Sequence, residues 1–95
     1  MTEAVSPDVM VVVTGRHVAC SVDGEVVILH LEDGVYYGLN AVGTRVWELV
    51  QSPQPVGHIV DRILEEFDVE RERCVQDVSE LISALASRGL VECSR

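Results

Sequence analysis

The chain contains no lysine. All seven basic residues are arginine, set against 16 Asp and Glu, for a formal net charge of -9. Such a surface repels nucleic-acid backbones and anionic membranes. No basic island interrupts it, since residues 1–50 carry seven acids against two arginines and residues 51–95 nine against five. No apolar run approaches the roughly 20 residues of a membrane span. The opening Met-Thr-Glu-Ala-Val-Ser-Pro-Asp lacks the basic start and apolar stretch of a signal peptide, so the expected location is the cytoplasm. Cysteine is sparse: Cys20, Cys74 and Cys93 form no Cys-x-x-Cys pair, and reduced, partly buried thiols are expected.

Catalytic vocabulary is also missing. His17, His30 and His58 stand in unrelated settings without metal-ligand spacing, and the seven glycines form no phosphate loop. No carboxylate pair is marked out for acid–base work. Cys74 lies near a helix start, but it also fits that helix's apolar stripe, and packing is the favoured reading. The sequence therefore predicts no metal, no cofactor and no enzyme.

What is present is a small globular domain. With 95 residues, 47% of them hydrophobic, the chain supports one domain over 1–95. Its core is expected over about 17–91, with 1–16 a short N-terminal extension or strand. Candidate strands cover 17–22, 25–31 and 35–39. Asp23-Gly24 joins the first two, and Glu32-Asp33-Gly34 joins the second to the third. The run 9–13 either pairs with this meander or is a tail. From Asn40, a good N-cap, the pattern turns helical. A first helix spans 41–51, with Val42, Val46, Trp47, Leu49 and Val50 as candidate core positions. Ser52-Pro53-Gln54-Pro55 ends it, and Pro55 suits the first turn of a second helix carrying Ile59, Val60, Ile63, Leu64 and Phe67. A third helix runs from about Glu70 to Arg88, and Gly89 stops it. The fold class is α+β, winged-helix-like, with a three-stranded antiparallel sheet followed by three helices.

Two features point to binding. In the strand 35–39, Val35, Tyr37 and Leu39 share one face and Tyr36 and Gly38 the other. The last strand of a meander has an open edge that needs protection or serves as a docking site. On the third helix, Cys74, Val75, Val78, Leu81, Ile82, Leu85 and Ala86 span about 140 degrees, broad for a helix sealing a small core. One margin holds Cys74, Asp77 and Leu81, the other Val75, Ile82 and Ala86; the wheel does not choose between them.

The segment from Gly34 to Trp47, Gly-Val-Tyr-Tyr-Gly-Leu-Asn-Ala-Val-Gly-Thr-Arg-Val-Trp, then Val56–Phe67, Val75–Leu85 and Gly89-Leu-Val91, resembles the PqqD-like superfamily. These are recognition elements for ribosomally made, modified peptides. The Tyr-Tyr-x-Leu-Asn-x-x-Gly-x-x-x-Trp pattern is most similar to the stand-alone B1 proteins of lasso-peptide biosynthesis. The resemblance covers about His17 to Val91 and rests on the order and spacing of the whole set. It implies that a precursor's leader segment, commonly bearing a Tyr-x-x-Pro element, adds as a strand along Val35–Leu39. The leader then lies in a groove against Cys74–Leu85. The implied site is Val35, Tyr36, Tyr37, Gly38, Leu39, Cys74, Asp77, Val78, Leu81 and Leu85, with Asp77 where the family often places an acid. Implied partners are a separate leader protease and an ATP-dependent macrolactam-forming cyclase. Pro55 departs from the Thr or Ser that often opens the second helix, and Glu70 stands where Asp is frequent. Alternatives are delivery of a precursor to a different, for example radical, modifying enzyme and, distantly, a winged-helix nucleic-acid binder.

Overall fold

In the computed structural model, which describes residues 5–94, nine elements follow in chain order. They are β1 (Met10–Val13), β2 (His17–Val22), β3 (Glu25–His30), β4 (Tyr36–Gly38), α1 (Ala41–Leu49), β5 (Gln54–Pro55), α2 (Val56–Glu66), α3 (Arg71–Ser87) and β6 (Val91–Ser94). The expected meander is the sheet β2-β3-β4, antiparallel throughout. Asp23 and Gly24 take φ values of 53° and 83°, the pair of positive angles a two-residue hairpin of matching twist requires.

The second sheet, β5-β1-β6, is absent from the sequence reading. Met10–Val13 does not join the meander; it pairs with Val91–Ser94 on one side and with Gln54–Pro55 on the other. Pro55 is accordingly the N-cap of α2 and part of a short strand, not a first-turn residue. Cys20 and Cys93 are exposed, contrary to the expectation of partly buried thiols, because both fall near sheet margins; only Cys74 is buried.

The helices pack where their stripes direct. Ile59 and Ile63 of α2 and Ile82 of α3 are fully buried with Ile28 of β3. Each such side chain contributes about 1.5–3 kcal/mol over exposure. The first turn of α1 is anchored twice. The Asn40 side chain accepts from Gly43 N–H at 2.8 Å, and the Thr44 hydroxyl accepts from Val26 N–H at 2.9 Å. Gly43 is closely packed, since an added Cβ there would lie 3.3 Å from the Leu39 Cβ and 3.4 Å from the Asn40 side-chain oxygen, and those groups would have to shift. These bonds turn the chain from β4 into α1 within two residues and leave the outer edge of β4 uncovered. Between α1 and α2, Arg45 grips the Glu66 carboxylate at 2.8 and 3.1 Å, and that hydrogen-bonded guanidinium holds the Glu66 carboxyl below its usual range.

Candidate functional site

The hydrogen-bond alternation of the meander identifies which backbone groups are free. His30 N–H donates to Val35 O at 3.0 Å and Leu39 N–H to Val26 O at 2.9 Å. Residues 35, 37 and 39 therefore turn their polar groups toward β3. Tyr36 and Gly38 turn theirs to the open edge. By the same rule the edge of β2 is open at His17, Ala19 and Ser21, since Leu31 N–H donates to Arg16 O. The two edges differ in what lies beside them.

Beside β4 is a cavity of 390 Å³. Gly38, Leu39 and Asn40 form its strand side, and Cys74, Asp77, Val78 and Leu81 of α3 its helix side; Val42, Gly43, Ile63 and Val69 complete it. Six of the ten residues expected at the site thus meet around one hollow. Val35, Tyr36 and Tyr37 belong to the strand and its approach but do not line the cavity, and Leu85 is buried. Tyr36 is the most exposed large apolar side chain described, at 69%, and Val35 is 45% exposed. Tyr37 turns inward, with the Arg88 guanidinium 5.6 Å from its ring centroid. Asn40, Val42, Gly43, Ile63 and Val69 were not anticipated. Val69, an apolar residue amid Asp68, Glu70 and Glu72, was the one local hint. Gly38, Leu39 and Asn40 also border a second hollow of 370 Å³ with Val22, Asp23 and Glu25, so the end of β4 has a recess on both sides.

The packing chooses between the two margins of α3. The margin bearing Cys74, Asp77 and Leu81 faces β4. The Val75 margin faces the N-terminal segment, where Val5 and Pro7 share a hollow with Val75 and Val5 N–H donates to the Ser79 hydroxyl at 3.1 Å. Asp77 is half exposed and pairs with Arg73 one turn earlier, at 3.4 Å. Exposed pairs of this spacing hold about 0.3–0.5 kcal/mol, so Arg73 is readily displaced.

Burial, reinforced by the Asp77 charge, pushes the Cys74 thiol above its ordinary range, away from the reactive thiolate. Among the described residues no cluster of three or more His, Cys, Asp or Glu could hold a metal ion. Arg71 and Arg73, the exposed cations at the start of α3, are paired with Asp61 and Asp77. Among the described residues no helix is long and apolar enough to cross a membrane.

Residues 25–91 match the family model described as coenzyme PQQ synthesis protein D (PqqD). The chain belongs to the PqqD family. Among solved structures, this family member is similar to TbiB1 in complex with the TbiA(beta) leader peptide. Identity is 38%, with 85% of this chain and 94% of that chain covered and a TM-score of 0.76. It is also similar to a lasso peptide synthetase B1 complexed with the leader peptide, at 18% identity, 86% and 96% coverage and a TM-score of 0.75. At that lower identity the likeness is one of fold. No curated protein matches the chain. The family and the α+β fold expected from the sequence are thereby borne out.

Proposed function

We propose that this PqqD-family chain binds the leader segment of a lasso precursor peptide by strand addition to β4. It then presents the bound peptide to a separate leader protease and to an ATP-dependent, macrolactam-forming cyclase. The observation that carries the reading is the open edge at Tyr36 and Gly38 running beside the 390 Å³ cavity against α3. The 38% identical TbiB1, itself in complex with a leader peptide, supports it. A strand of about five residues spans roughly 17 Å, enough to run along β4 and past Asn40. Main-chain bonds to Tyr36 and Gly38 supply affinity that tolerates sequence change, while the apolar cavity walls select side chains. A Tyr-x-x-Pro element would bring two rigid apolar anchors with little entropy to lose. The role is recognition; the bond-making steps belong to the partner enzymes.

The test is isothermal titration with a synthetic leader from the precursor encoded beside this chain. Saturable one-to-one binding, lost when the leader's Tyr and Pro are both replaced by Ala, supports the reading. No binding at high micromolar concentration refutes it.

A further inference from the structure

The proposed groove has two walls from distant parts of the chain, β4 and α3, and one buried side chain joins them. His30 closes β3 with 5% exposure. Its Nε2 lies 2.6 Å from the carbonyl oxygen of Arg88, the C-cap residue of α3. A carbonyl only accepts, so Nε2 carries the proton. The Nδ1 lone pair then accepts from the backbone N–H groups of Glu32 and Asp33, at 3.2 and 3.4 Å, in the turn that feeds β4. The Asp33 carboxylate lies 3.5 Å from Nδ1. An ion pair there would need a proton on Nδ1, aimed at those same two N–H groups. The Nε2–H tautomer satisfies the Arg88 carbonyl and the two backbone N–H groups together, and the Asp33 carboxylate accepts from Val35 N–H at 2.9 Å.

One imidazole thus takes a helix-terminal carbonyl that has no partner within its helix and, through its other nitrogen, shapes the entry to the edge strand. Arg88 adds a second tie, its guanidinium over the Tyr37 ring of β4. We infer that His30 is a positioning residue for peptide binding, setting the separation of β4 and α3 so that the groove is formed before the peptide arrives. This rests on the leader-binding reading and adds to it the residue that preorganises the site. Preorganisation raises affinity by removing an ordering cost from the binding step.

The two nitrogens can be tested apart. In His30→Gln the amide nitrogen falls near the place of Nε2 and keeps the bond to Arg88. In His30→Asn the side-chain oxygen falls near Nδ1 and keeps the turn but releases α3. Leader affinity, titrated where each variant is fully folded, should fall about tenfold in His30→Asn and less than about threefold in His30→Gln. Thr14→Val is the control for a general loss at the same helix end, because the Thr14 hydroxyl donates to Gly89 O at 2.7 Å from outside the groove. It should lower the melting temperature and leave leader affinity unchanged. Imidazole nitrogen shifts of the wild-type protein should show Nε2 protonated and Nδ1 bare, a readout that needs neither variant nor peptide. A protonated Nδ1, wild-type affinity in His30→Asn, or equal losses in the Asn and Gln variants would overturn the inference. The wild-type titration alone reports on leader binding; the variant ratios report on His30.

Discussion

Replacing Gly38 with proline isolates the open edge of β4. The Gly38 N–H points away from β3, so the pyrrolidine ring would occupy open space, and the hydrogen-bonded pairs on either side, Ile28 with Tyr37 and Val26 with Leu39, would remain. A Cβ at Gly38 meets nothing within 4 Å. Tyr37, the preceding residue, is already extended, as a residue before proline must be. The folded state therefore loses little, and the stiffer unfolded chain offsets it by roughly 0.4–1 kcal/mol. Binding fares differently. Tyr36 and Gly38 together offer two donors and two acceptors, each hydrogen bond worth about 0.5–1.5 kcal/mol net. Proline removes one donor outright and puts ring carbons where the added strand must approach, straining the neighbouring bonds. A loss of at least about 1.4 kcal/mol, tenfold in Kd, is expected. Fluorescence anisotropy with a labelled leader peptide measures it, with circular dichroism melts confirming the fold. Ser21→Pro is the matched control, since Ser21 also points its N–H outward but from the β2 edge. If Gly38→Pro is folded and binds leader as tightly as Ser21→Pro, strand addition at β4 is wrong.

Asp77→Ala should weaken leader binding roughly tenfold to a hundredfold, the range of a lost charge-assisted hydrogen bond, with little change in melting temperature. Glu65→Ala, exposed on α2, should do neither, and equal titrations for the two variants would remove Asp77 from the site. Alkylation at neutral pH should modify exposed Cys20 fastest, Cys93 more slowly because burial pushes its thiol up, and Cys74 slowest because it is buried and its thiol is pushed up as well; bound leader should slow Cys74 further, as peptide mapping would show. Glu66 is held below its ordinary range by Arg45, so its contribution to stability is present above about pH 4.5 and is lost as pH falls through the lowered value. Glu66→Gln should flatten the acid limb of melting temperature against pH; an unchanged limb would mean the Arg45 pair contributes nothing measurable.

Much of this protein was legible where the determinant is local. Asp23-Gly24 could take the two positive φ angles of a tight hairpin, and it does. Asn40 was an N-cap by side-chain chemistry, and its oxygen accepts from Gly43. Gly89, expected to stop the third helix, sits at φ 74° just beyond it. The stripes of α2 and α3 followed from a period of 3.6, and most of the buried residues lie among their expected positions; Val56 and Ser79 are buried in addition to these. Each of these depends on a few neighbouring residues, so the amino-acid order alone decides it.

What the order alone left open depends on residues far apart in the chain. Val9–Val13 is apolar whichever strand it meets, and its partner at Val91–Ser94 lies some 80 positions away in a segment too short to read as a strand. A helical wheel ranks the faces of α3 but not their neighbours. Only packing set the Cys74, Asp77 and Leu81 margin beside β4 and the Val75 margin beside the N-terminal segment. The meander pattern pointed to the edge of its last strand, and the placement of α3 is what puts a groove beside it. His30 read as an ordinary strand residue because its partners, the turn at 32–33 and the carbonyl of Arg88, converge on it only in the folded chain. Local sequence sets backbone angles and periodicity; which surfaces then face each other is decided by how the whole set of apolar stripes is buried at once.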